Sequence, residues 1–203
     1  MLRPFMPLEV SWAIRSDLGT LIAAETRGAP VSLSGDALLA GYYVNELILH
    51  LLHRHDPQPD VFAAYQDVIL GLAGRHDMSA CLREFEMSFL RILGYAPILD
   101  HDGQTQEPLL PDGSYEYRVE QGPVLAVAEA GPGRYSGNLL GAIGRQEFAD
   151  PEVLQAASRL LKNVIAHHLG GKELKSRKVL LELRHGARIR DNAGESSPSG
   201  SPP

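Results

Sequence analysis

From Ala37 to Leu52 the chain carries apolar side chains round most of a helix, interrupted only by Tyr42, Tyr43, Asn45, Glu46 and His50. A helix that is apolar on nearly every side needs other elements packed around it, so the segment is expected to be central and nearly buried. Ser34-Gly35-Asp36 supplies a plausible start. Spacing predicts two further helices. Pro59 to Ala73 repeats Val61, Phe62, Tyr65, Val68, Ile69 and Leu72, and Ser79 to Leu93 repeats Leu82, Phe85, Phe89, Leu90 and Leu93 before Gly94 stops it. Helical character returns at Leu139 to Ile143, at Pro151 to Leu169 and, after Gly170-Gly171, at Lys175 to Leu183.

The remainder reads as strand, loop and tail. Leu8 to Ile14 alternates large apolar with small or polar residues, and Gly19 to Ala24 comes after a polar turn around Ser16-Asp17, so two paired strands are expected. Two strands alone are marginal in water and need a partner surface or a larger sheet. Between Pro97 and Gly137 glycine, proline and aspartate punctuate short runs such as Tyr115 to Val119 and Val124 to Val127, the pattern of a small hairpin-containing insertion. Beyond Asn192 nothing apolar remains to bury, and a disordered tail over 191–203 is expected. The fold class is α+β and mostly helical: a β segment over 1–32, then helices over 33–190 with an insertion at about 97–137. No internal repeat is visible.

Composition removes several classes of function. At 203 residues, 44% hydrophobic and 22% charged, the chain can build an ordinary soluble core. One cysteine, Cys81, rules out an internal disulfide framework and a multi-thiolate metal site, which fits a reducing cytoplasm. Pro4 and Pro7 break the stretch where a signal peptide needs a continuous apolar core, and no run approaches the roughly 20 apolar residues that cross a bilayer. Net charge is -6, yet the charge is divided: Lys172, Lys175, Arg177, Lys178, Arg184, Arg188 and Arg190 stand against Glu173 and Glu182 in one short stretch.

Side chains able to do chemistry do not assemble into a known motif. His50, His53, His55 and Asp56 gather near a helix end, as cations at a helix C-terminus do, without the spacing of a helical zinc motif. His167-His168 ahead of Gly170-Gly171 has the same reading, and Asp100-His101-Asp102 reads as a solvated turn. Gly131-Pro132-Gly133 and Gly170-Gly171-Lys172 lack the Walker spacing, and no nucleophile elbow or carboxylate pair stands out. No active site is supported. Lys175, Arg177 and Lys178 fall within one helical turn, so their side chains and the free amides of a helix N-terminus could face phosphates together. The alternative is a solvated helix end with Leu174, Val179, Leu180 and Leu183 turned inward.

Four segments in order tip that balance. Leu2-Arg3-Pro4-Phe5-Met6-Pro7-Leu8, then Leu33-Ser34-Gly35 leading to Tyr42-Tyr43-Val44-Asn45-Glu46-Leu47, then Leu82-Arg83 with Phe85-Glu86 running to Leu93-Gly94-Tyr95, and last Leu169 to Arg177, together resemble the RecO family of recombination mediators. The resemblance implies an N-terminal OB-fold, a helical domain and no enzymatic turnover or cofactor. It implies binding of single- and double-stranded DNA, annealing, contact with the acidic C-terminal tail of single-stranded DNA-binding protein, pairing with RecR and help in loading RecA, in the cytoplasm at the nucleoid.

Two departures from the family pattern carry expectations. The match begins partway through the OB-fold, so the earlier strands are expected to be missing from this chain, through a late start codon or truncation. Some relatives hold a four-cysteine zinc site where Asp100-His101-Asp102-Gly103 stands here, so no zinc is expected. Carried over by position, Arg83 faces the acidic tail, with Met87 and Leu90 on the same helix face as an apolar wall, unless those two are core residues. Lys172, Lys175, Arg177, Lys178 and Arg3 are the DNA-facing candidates. Asn45 and Glu46 are expected to satisfy buried backbone or a contact to the OB-fold. A helical protein-interaction module without DNA affinity is the rival reading; a histidine-dependent hydrolase stands third.

Overall fold

The computed structural model describes residues 3–14, 19–53, 56–74, 77–126 and 133–176. Elements run β1 (Leu8–Ile14), β2 (Gly19–Thr26), α1 (Gly35–Leu51), α2 (Pro59–Ala73), α3 (Met78–Ile92), β3 (Ser114–Arg118), β4 (Gly122–Leu125), β5 (Arg134–Ser136), α4 (Gly137–Gly144) and α5 (Pro151–His168). The result is α+β, with a helical domain, a β-hairpin ahead of it and a small sheet inserted in it. The turn at Ser16-Asp17, the helix expected beyond Ser176 and the tail lie outside the described residues.

Local chemistry sets the helix ends. Asp77 accepts from the amides of Ser79 and Ala80 and so caps α3, while Asp150 accepts from Glu152 and is followed by Pro151 at the first position of α5. Gly94, expected as a stop, closes α3 in a left-handed conformation: its amide reaches the Arg91 carbonyl, and the next amide, of Tyr95, returns to Leu90.

Helix α1 gives Ala40, Tyr43, Val44, Leu47 and Leu51 to a core completed by α2, α3, α4 and α5. It is less enclosed than its apolar run predicts. Leu49 is 79% exposed and Tyr42 also faces water, because α2 and α3 cover one side of α1 and leave the outer side bare. No helix among the described residues is long and apolar enough to cross a membrane.

The insertion is richer than a hairpin. β3 is the central strand of an antiparallel sheet ordered β4-β3-β5, and Tyr115 and Tyr135 pack from it into the core. At the junction of β5 and α4 only glycine fits, since a Cβ on Gly137 would lie 2.1 Å from the Leu110 carbonyl oxygen.

β1 and β2 form a separate two-stranded antiparallel sheet, in register from Leu8↔Thr26 to Ile14↔Gly19, with Ile22 as the extra residue of a bulge. Val10, Trp12, Ile14, Leu21 and Ile22 are exposed on it. The hairpin is tethered at its base. The Phe5 ring lies against Gly41 and 5.8 Å from the Tyr42 ring, so close that a Cβ on Gly41 would meet it at 2.7 Å.

Candidate functional site

At the C-terminal end of α5 the chain turns sharply through Gly170 and Gly171, both at positive φ, and Leu174 drops back into the core. Glu46, the one acidic residue in the apolar run from Ala37 to Leu52, holds the residues just past Leu174. Its carboxylate accepts from the amides of Lys175 and Ser176, each at 2.9 Å, and from the Ser176 hydroxyl at 2.6 Å. Burial alone would push the Glu46 carboxyl up, but the Ser176 hydroxyl, the Ser176 and Lys175 amides and His50 together hold it below the ordinary range.

Two of the amides expected to meet phosphates, those of Lys175 and Ser176, are therefore taken by a carboxylate. What this end offers a ligand is side-chain charge: Lys172 and Lys175 are both exposed. Arg177 and Lys178 lie outside the described residues. Arg3 is exposed ahead of β1, and no hydrogen bond or ion pair among the described residues joins it to the two lysines.

Of the three residues read as a tail-binding face, two are turned inward. Arg83 donates to Glu86 Oε1 at 2.5 Å and to Ser158 Oγ at 2.9 Å, and Tyr43 donates to the same Glu86 oxygen at 2.6 Å. The side chains of Arg83 and Glu86 are 11% and 1% exposed. The pair thus ties α3 to α1 and α5, and the Arg83 charge is met inside the fold. Leu90 is fully buried in the core, the alternative its spacing left open.

Met87 alone reaches the surface. It lines a groove of about 620 Å³ together with Leu99, Leu109 and Gly141, and Arg91 and Arg145 stand at its edge. Sequence reasoning passed over both arginines. Arg91 was legible, being four residues after Met87 on one helix face; Arg145 arrives from α4 and gives no local signal. Arg145 is already paired with Glu147 at 2.7 Å.

Among the described residues the histidines do not converge on one site. His50 lies 3.9 Å from Glu46, His167 pairs with Glu120 of the β3–β4 turn at 3.1 Å, and His168 stacks on Tyr95 with ring centroids 4.1 Å apart. Burial first, then the charge of His167, lowers the His168 pKa against the pull of Glu120. His55 lies outside the described residues. Asp102 is a structural group: one carboxylate oxygen takes the amides of Gln104 and Thr105, the other that of Leu125. Those amides, Thr105 first, hold its carboxyl below the usual range. Among the described residues no three His, Cys, Asp or Glu side chains are placed to share a metal ion. Asn45 lines a small apolar groove between α1 and α2 with Ile48, Phe62 and Tyr65.

These features define a mostly helical α+β protein that presents lysines at the end of its last described helix and an arginine-edged groove on another side. Residues 32–178 match the family profile described as recombination protein O C terminal. Curated relatives agree: the DNA repair protein RecO of Methylococcus capsulatus is 40% identical over 88% of this chain and 73% of its own length. That of Nitrosococcus oceani is 41% identical over 91% and 75%, and that of Pseudomonas aeruginosa 38% identical over 92% and 79%. The chain belongs to the RecO family of DNA repair and recombination proteins.

Proposed function

We propose that this chain is a recombination mediator that works by binding: it holds single- and double-stranded DNA, takes the acidic tail of single-stranded DNA-binding protein, anneals strands and, with RecR, helps load RecA. The observation that carries the reading is the anchoring of the Leu169–Ser176 segment. Leu174 and Glu46 fix its backbone while Lys172 and Lys175 stay in water, at the start of the basic stretch that continues through Arg177 and Lys178. Fixed cations beside a phosphate backbone bind without regard to base sequence and lose affinity as salt rises. The β1–β2 hairpin fits as part of an OB-fold that extends the DNA-facing surface, with Arg3 at its base.

The test is a salt titration of binding to an oligothymidylate. Lys172→Ala/Lys175→Ala is expected to reduce the slope of log affinity against log salt by about 1.4, two phosphate contacts' worth for a single strand. An unchanged slope removes both lysines from the DNA site.

For the acidic tail, the groove beside Met87 is the better surface, Arg91 reaching carboxylates while Met87, Leu99 and Leu109 take an apolar terminus. An acidic peptide with an apolar C-terminal residue is expected to bind in a salt-sensitive way, and Arg91→Ala to weaken it about tenfold. Equal affinity in the variant places the tail elsewhere.

A protein-binding module without DNA affinity is favoured by one observation, the capture of the Lys175 and Ser176 amides by Glu46, which takes two backbone donors away from any phosphate. Peptide binding with no oligonucleotide binding at low salt would establish that reading.

A further inference from the structure

Next to the Met87 groove, which it meets at Gln146, a second groove of about 780 Å³ runs between α2, α3 and the turn that precedes α5. Val68, Phe85 and Phe148 form its floor, and the small residues Ala64, Gly71 and Ala80 keep its walls low. Its polar lining is one-sided among the described residues: Asp67, Asp77, Glu84 and Glu147 border it, and no described Lys, Arg or His lines it. Two of these acids are committed, Asp77 to the α3 amides and Glu147 to Arg145. Asp67 and Glu84 are not. Both are exposed, one on each of the packed helices α2 and α3, and neither has an ion pair among the described residues.

Negative charge over an apolar trough, on a chain of net charge -6, attracts an apolar surface framed by cations. The single thiol of the chain reports the same field from inside the groove: burial first, then Glu84 and Asp77, push the Cys81 pKa up. The shape is that of a peptide site. Along α3 the trough runs from Asp77 to Ser88, about 16 Å at 1.5 Å per residue, room for about three helical turns.

We propose that the groove between α2 and α3 docks a cationic amphipathic helix of a partner protein, its apolar residues over Val68, Phe85 and Phe148 and its lysines or arginines against Asp67 and Glu84. The proposal does not rest on the DNA and acidic-tail readings, which use the basic segment after α5 and Arg91 of the neighbouring groove.

The full chain carries its own reporter, since Cys81 is the only cysteine. The probe is a fluorescent Leu/Lys peptide of roughly 14 residues with leucines at helical spacing, set beside a scrambled peptide of equal composition, in about 0.15 M salt. The amphipathic peptide is expected to bind more tightly than the scrambled one. Near ten times its Kd it should slow alkylation of Cys81 by iodoacetamide about tenfold. Asp67→Lys/Glu84→Lys, two exposed changes, should weaken binding about tenfold with little change in melting temperature. Equal binding of both peptides, or bound peptide that leaves Cys81 as reactive as before, overturns the proposal. It is also overturned if Lys178→Glu/Arg184→Glu in the full chain speeds Cys81 alkylation with no peptide present, since the groove would then hold this chain's own basic segment. Should the Asp67→Lys/Glu84→Lys variant fail to fold, protection of Cys81 in the natural chain decides.

Discussion

Arg83→Ala is expected to lower the unfolding free energy by about 3 kcal/mol and the melting midpoint by roughly 6–12 °C. The substitution leaves Glu86, 1% exposed, with its strongest cationic neighbour gone and only donors such as Tyr43 to offset its charge. It also frees Ser158 on α5, loosening a three-helix junction. Thermal unfolding followed by circular dichroism checks this, and a loss below about 1 kcal/mol would mean that the pair is ornamental to stability. Arg83→Leu/Glu86→Leu should recover most of the loss, because two apolar side chains of similar volume leave no buried charge behind. Reduced peptide binding by Arg83→Ala alone would therefore report a damaged fold, which is why Arg91 is the residue to change when the acidic tail is being tested.

Asp102→Ala is expected to cost about 2–3 kcal/mol, the loss of an acceptor that serves three backbone amides. These bonds close the loop ahead of β3 and join it to the end of β4, so the small sheet should loosen before the helices do. pH gives an independent reading. The Asp102 carboxyl is held below its ordinary value, so its stabilisation is fully present above the unfolded pKa, near 4, and is lost as pH falls through the lower folded value. Hydrogen exchange at the Leu125 amide should accelerate in the natural protein below about pH 4. In Asp102→Ala that exchange should be fast at neutral pH already, with no further acid step; an acid step that survives the substitution would assign the effect to another carboxyl.

Local pattern carried the element boundaries well. β1, α2 and the Gly94 stop stand where alternation, helical spacing and glycine chemistry place them, because each is decided within a few residues. β5 escaped notice: Arg134-Tyr135-Ser136 is too short to show alternation and exists as a strand only because β3 offers it an edge. The site was less legible for a related reason. Glu46 and Ser176 are 130 residues apart, and Arg83 and Ser158 are 75 apart, so no window reveals that one glutamate captures the amides of the basic segment or that one arginine is neutralised indoors. Residue type and helix face put Arg83 where a ligand would be sought; only packing reveals that both of its terminal nitrogens are already engaged, by Ser158 and Glu86. Asp102 teaches the converse: Asp100-His101-Asp102 reads as a solvated turn, and Asp100 is exposed, yet Asp102 is a buried clasp.

The bare face of the β1–β2 hairpin has an optical consequence. Trp12, the only indole in the molecule, stands on it more than half in water, and it lines none of the three grooves described above. Its emission colour therefore acts as a private channel for the hairpin: a shift toward the blue marks the moment something dry settles on that ribbon, whatever the lysines, arginines and carboxylates of the helices are doing.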